Sequence, residues 1–173
     1  MTPGEKLCLA CGLCCDGTLF DNVRLEPGDG AKHLKSLGLP VTVSRGQEPV
    51  ARFPQPCAAL CQDRTCRLYA DRPRQCRTYE CKVYQSMQSG RRKPATAMRL
   101  VTNARRQADR VRRLLRALGD HDEQRSLGER FFRMQCHMEQ KPADADTLAA
   151  FADLSLAVHK LKLLAHAKFH VEA

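Results

Sequence analysis

Tryptophan is absent from the 173 residues, and phenylalanine and tyrosine bring the aromatic share to only 5%. With so few large rings the N-terminal half has little from which to build a broad apolar core, and small units of that kind depend on crosslinks or metals. No apolar run approaches the ~18 residues of a membrane span. The opening MTPGEKLC carries no apolar signal segment before the cysteines begin, which points to a reducing, cytoplasmic setting rather than a secreted disulfide scaffold. HExxH, GxSxG and a phosphate-binding glycine loop are all missing, and no carboxylate pair at helical spacing adjoins the cysteines. The common hydrolytic and nucleotide-dependent chemistries therefore have no motif here. There is no internal repeat and no low-complexity segment.

The chain is rich in cysteine, with ten. Four fall in CLACGLCC, at Cys8, Cys11, Cys14 and Cys15. Thiols at that density are hard to explain by packing, and a C-x-x-C turn brings two sulfurs to the separation that zinc or an iron-sulfur cube requires. Cys14 and Cys15 are adjacent, so in extended backbone they point to opposite sides. That predicts two metals or one polynuclear centre. A second group, Cys57, Cys61, Cys66, Cys76 and Cys81, is interrupted by Pro54, Pro56 and Pro73 and reads as turns and single helical turns restrained by metal. Arg64, Arg67, Arg72, Arg74, Arg77 and Lys82 run through it, either as a solvated surface or as compensation for anionic metal-thiolate centres.

The formal net charge of +10 invites a nucleic-acid partner. Four thiolates on zinc or on a four-iron cluster carry about −2, so two such sites would offset much of the excess.

Around these groups Leu19 to Leu25 suggest a short strand, Ala31 to Leu37 two helical turns, and Val41–Val43 with Pro49–Phe53 a small hairpin. From Glu80 the pattern turns helical: Glu80 to Met87, Ala95 to Leu118, Asp120 to Gln140 with a break near Gly128, and a last helix from Asp144 or Asp146 to about Phe169. The last three should pack as an antiparallel bundle. The fold class is thus α+β. An irregular metal-stapled cysteine domain with a few short strands, residues 1–90, precedes a three-helix subdomain, residues 91–173.

CLACGLCCDGTLF and CAALCQDRTCRLYADRPRQCRTYEC together resemble the YkgJ-type cysteine-cluster family, zinc- or iron-chelating proteins with a CxxCxxCC signature. The resemblance covers Cys8 to Cys81. It maps the ligands onto Cys8, Cys11, Cys14, Cys15, Cys57, Cys66, Cys76 and Cys81, leaves Cys61 as an extra, and says nothing of the helical half. Flagellin lysine methylases carry a similar pattern with an implied iron-sulfur centre, but no glycine-rich methyl-donor loop follows a strand in this chain. Eight cysteines suit two four-coordinate sites. C-x-x-C-x-x-C plus a remote cysteine is a [4Fe-4S] wrapping, whereas the second group offers no C-x-x-C hook for zinc, so the spacing leans to iron-sulfur over zinc.

The function expected is a cytoplasmic metal-binding protein with a redox or accessory role and a protein partner on the helical half. The alternatives are a zinc-stabilised nucleic-acid or protein adaptor using the Arg99, Arg106, Arg110 and Arg113 face, and a cluster-dependent modifying enzyme. Met134 to Met138 has the soft donors of a Cu(I) site, but Met134 and Met138 share a face with Phe131 and read as core. His159, His166 and His170 align along one side of the last helix. Tyr69 and Tyr79 are expected to pack over a centre, and Asp16 and Asp21 to cap turns. Cys136 reads as a structural thiol.

Overall fold

The computed structural model describes residues 3–45, 49–140 and 142–171. Its first element corrects the expectation of turns or extended chain around the leading cysteines: Pro3–Cys11 is a helix, α1. Proline at the first helical position needs no donor there, and Glu5 lies in the positive first turn. Gly12 ends it at φ 65°, its N–H bonding the Cys8 carbonyl at 3.2 Å, and the chain then coils through Cys14 and Cys15. That left-handed position disfavours any residue with a Cβ.

The strands form one antiparallel sheet. β1 (Asn22–Arg24), β2 (Thr42–Val43) and β3 (Ala51–Pro54) lie in the order β1-β3-β2, with Val23 opposite Phe53 and Thr42 opposite Arg52. The segment joining β2 to β3 includes residues 46–48, outside the described residues. Helix α2 (Ala31–Ser36) covers this sheet through Leu34. The N-terminal half is better provided with core than its aromatic count predicts. Val23, Leu25, Leu34, Leu39, Val41, Phe53, Ala59 and Leu68 are buried together, and Cys57, Cys66 and Cys76 pack against them. Aliphatic side chains from strand, turn and loop do what aromatics do elsewhere.

The second cysteine group is irregular, as expected: one bridge pairs Leu60 with Cys66, and a single-turn helix, α3 (Arg74–Thr78), carries Cys76. Cys81 caps α4 (Lys82–Gln88), its sulfur accepting the Tyr84 N–H at 3.4 Å.

Three long helices follow. α5 (Pro94–Ala117) buries Ala97, Val101, Ala104, Ala108, Val111 and Leu115, close to the predicted stripe. α7 (Ala145–Lys168) is capped by Asp144, whose carboxylate accepts the Thr147 N–H at 2.7 Å. α6 (Leu127–Gln140) starts seven residues later than predicted. Gly128 does not break it; a Cβ there would stand 2.9 Å from the Asp21 carboxylate, so close approach is what excludes a side chain. Met134 is core, with Phe131 and Met138 packed beside it. Arg130, which the sequence marked only as a charge, is 1% exposed and pairs with Asp120 at 3.1 Å.

One apolar cluster bears directly on the site. Leu7 and Leu13 from the first cysteine segment, with Val83 and Met87 of α4, pack on Ala97, Val101 and Ala104 of α5 and on Phe169. The long helices are therefore the wall against which Cys8 to Cys15 is seated. Among the described residues no helix is long and apolar enough to cross a membrane.

Candidate metal centre

All eight cysteines onto which the family resemblance maps the ligands line a single cavity of about 140 Å³. Cys61 and Cys136 do not. Cys61 sits in a turn closed by its own N–H to the Thr65 carbonyl at 2.9 Å, and Cys136 belongs to α6. None of the ten is in a disulfide.

The eight fall into two sets. Burial is the main cause that raises the pKa values of Cys8, Cys11, Cys14, Cys15, Cys57, Cys76 and Cys81, and the next causes show which sulfurs are neighbours. Cys8 is pushed up to about 11 by desolvation and then by Cys81. Cys11 is pushed up to about 12 by burial, with Cys81 and Cys8 adding to it. Cys14, nearly fully buried, is raised further by burial and then by Cys11, Cys15, Cys81 and Cys8. Cys15 is raised by burial and then by Cys57, Cys76 and Cys66. Cys76 is pushed to about 12 by burial and then by Cys57 and Cys66.

Packing sorts most of them in the same way. Cys11 and Cys81 abut the α4–α5 cluster, while Cys57, Cys66 and Cys76 abut the sheet cluster, and the Cys57 N–H bonds the Cys15 carbonyl at 2.7 Å. The sets are thus Cys8, Cys11, Cys14 and Cys81, and Cys15, Cys57, Cys66 and Cys76. The adjacent pair Cys14 and Cys15 falls in different sets, although Cys15 also acts on Cys14 and the backbone there is a turn and not extended.

Guanidinium groups hold the first segment in place. Arg105 of α5 donates to the Ala10 carbonyl at 3.2 Å and Arg64 to the Cys11 carbonyl at 3.2 Å. Arg112 of α5 donates to the Asp16 carbonyl at 3.2 Å and to Thr18 Oγ1 at 3.1 Å. The Asp16 carboxylate, 9% exposed, joins two of these arginines, with Arg64 and Arg112 each 3.1 Å away. It also caps a turn at the Thr18 N–H, the role expected of it. Arg72 stacks on Tyr69 at 3.7 Å, lines the cavity and draws down the pKa of both Cys8 and Cys76. Arg67 does the same for Cys57. Tyr79 also lines the cavity, its hydroxyl donating to the Phe169 carbonyl at 3.0 Å and its ring edge-on to Phe20.

The donor set fits a soft metal. Eight sulfurs with no imidazole among them suit iron-sulfur clusters or zinc, and cationic side chains stand where thiolate charge would develop. Gln55, two residues before Cys57, is 2% exposed and lines the cavity, and its Oε1 is buried without a hydrogen-bond partner. A buried polar atom left unpaired costs on the order of 1–3 kcal/mol, which a polar occupant of the cavity would recover. Among the described residues, however, no three histidine, cysteine or carboxylate side chains are drawn together into a closed ion site. Four sulfurs each ~2.3 Å from one zinc stand about 3.8 Å apart. The two observations concern different distances: the thiols are grouped closely enough to perturb one another and are not collapsed onto a point.

Sequence reasoning missed Gln55, Arg105 and Arg112. A lone glutamine between prolines and two arginines among many carry no local signal. The chain matches no family model, no curated protein and no solved structure.

Proposed function

We propose that this chain is a metal-binding protein with two four-thiolate centres, one held by Cys8, Cys11, Cys14 and Cys81 and the other by Cys15, Cys57, Cys66 and Cys76. The observation that carries the reading is that the eight cysteines onto which the family resemblance maps the ligands are the eight that line the cavity, and they divide four and four. The first set is C-x-x-C-x-x-C plus a remote cysteine, a [4Fe-4S] wrapping, and iron-sulfur is the occupant proposed there. Zinc is the competing occupant, above all for the second set, whose ligands come singly and not as C-x-x-C hooks.

When bound, an iron-sulfur cluster supplies one-electron chemistry, which makes the role redox or accessory to a modifying system. The protein's own residues seat the first cysteine segment against α5, line the cavity with Tyr79 and Phe20, and set Arg72 and Arg67 where they draw down the thiol pKa values. The resemblance to YkgJ-type proteins belongs to this proposal and rests on the cysteine pattern together with Tyr69, Arg72, Pro73, Arg77 and Tyr79 around Cys66 and Cys76.

Anaerobic purification with metal analysis and a visible spectrum tests it. Brown protein bleached by dithionite, with iron and acid-labile sulfide, supports the cluster reading; colourless protein with stoichiometric zinc supports structural metal. A metal-free, cooperatively folded protein refutes both.

A second reading, a zinc-stabilised adaptor for anionic partners, draws on one feature. Thr102, Arg105, Arg106, Asp109, Arg112, Arg113 and Arg116 line a shallow groove on α5, with Arg106 and Arg113 exposed. Nucleic-acid affinity that falls steeply with salt and is lost in Arg106→Ala/Arg113→Ala would favour it.

A further inference from the structure

α7 is apolar on two opposite sides. One stripe, Leu154, Ala157, Val158, Leu161 and Ala165, is buried. Half a turn round the helix lies a second, Ala149, Ala152, Leu156, His159, Leu163 and His166, and all six are exposed. The steps between them alternate three and four residues, the strict heptad spacing of a coiled-coil seam. Leu156 is 48% exposed and Leu163 58%, with Leu148 at 54% along the edge. A surface helix sets mostly charged and polar residues opposite its buried stripe, whereas this one sets alanine, leucine and histidine there.

We propose that this stripe is the interface between two copies of the chain, their α7 helices packed antiparallel about a two-fold axis. The pattern is complementary to itself in that arrangement, which is what selects a second copy. With Leu156 of each copy set against His159 of the other, Ala152 meets Leu163 and Ala149 meets His166, so that small faces large at successive layers. On one flank of the seam Asp153 comes within reach of Lys160 of the second copy, and the two-fold axis makes that opposite-charge contact twice. Parallel helices lose both features: alanine layers would face alanine layers, and Asp153 would face Leu148. The closed, isologous geometry also gives dimers rather than filaments. Two of the histidines aligned along this helix, His159 and His166, thereby occupy seam positions.

The test is sedimentation equilibrium of the full chain with reductant, from roughly 1 to 100 μM, a range that spans ordinary dimer affinities. The expected result is a dimer that Leu156→Asp/Leu163→Asp converts to a monomer with unchanged helical circular dichroism, both positions being exposed. Asp153→Lys should weaken the dimer roughly tenfold, since it turns two attractions into two repulsions. Adding Lys160→Asp should restore it. A monomeric wild type throughout the range, or a dimer indifferent to the two aspartates, overturns the proposal. Failure of the charge swap to restore association overturns the antiparallel register.

Discussion

Removing the Asp16 carboxylate is expected to loosen the first cysteine segment. The carboxylate is 9% exposed and meets two guanidinium groups at 3.1 Å, from Arg64 in the second cysteine group and Arg112 on α5; their side chains are 21% and 16% exposed. One charge therefore ties three parts of the chain together. Breaking a buried pair by deleting one partner costs about 3–5 kcal/mol, because the surviving charge stays desolvated. Here both arginines keep carbonyl acceptors, at Cys11 and at Asp16 itself, so the lower end of that range applies, about 3 kcal/mol.

For a chain of this size about 2–4 °C of melting temperature accompanies each kcal/mol, so Asp16→Ala should melt about 6–12 °C below wild type. Asp16→Asn keeps the shape and an acceptor but not the charge, and should fall between. Thermal or urea unfolding at matched metal content reads both. A loss under about 1 kcal/mol, the value of an exposed ion pair, would show that the arginines are held by their carbonyl contacts and not by Asp16.

The division of the thiols makes a direct prediction for metal content. Cys14→Ser or Cys81→Ser should remove about half of the metal and the spectrum of one centre, Cys57→Ser or Cys66→Ser should remove the other half, and Cys61→Ser and Cys136→Ser should change neither; metal analysis of the six variants decides. In the metal-free protein Cys8, Cys11 and Cys76 hold their protons to about 11, 12 and 12, chiefly through burial, against 9.0 for an ordinary thiol. The unfolded chain releases these protons first, so their stabilising contribution is complete below pH 9 and falls away between pH 9 and about 11 to 12, which denaturant melts across that window would show. Metal loading near neutral pH should release protons from the same thiols, measurable in weak buffer. Arg130→Met should cost about 3–5 kcal/mol by stranding Asp120, whereas Arg130→Met/Asp120→Leu should recover most of that in the same unfolding assay. Gln55→Leu should be neutral or slightly stabilising in the metal-free protein, since its Oε1 has no partner to lose, and destabilising in the loaded one; melts of both forms check the difference.

The parts of this protein that follow local rules were legible in the sequence. α5 and α7 announce themselves because apolar residues recurring at three and four steps can be buried in only one regular way, and the α5 boundaries fall within a residue of those predicted. The two cysteine groups were legible as groups, because spacing is a covalent property, and the family resemblance separated Cys61 from the eight that line the cavity. α1 was not legible: the cysteine pattern drew attention to ligand geometry, while Pro3, Glu5 and Gly12 carried a helix start and stop that a nine-residue element barely signals. The late start of α6 was hidden because Gly128 looks like a breaker until Asp21 is brought against it from more than a hundred residues away.

Which sulfurs are neighbours, and what holds them there, belongs to the tertiary structure alone. Cys81 stands beside Cys8, Cys11 and Cys14 only because α4 and α1 dock on the same stretch of α5, and Cys15 joins Cys57 and Cys76 only because the sheet cluster lies on the other side of it. Burial and charge neighbourhood depend on groups that are distant in the chain. Sequence by itself therefore specified which atoms could bind metal, and packing specified their company.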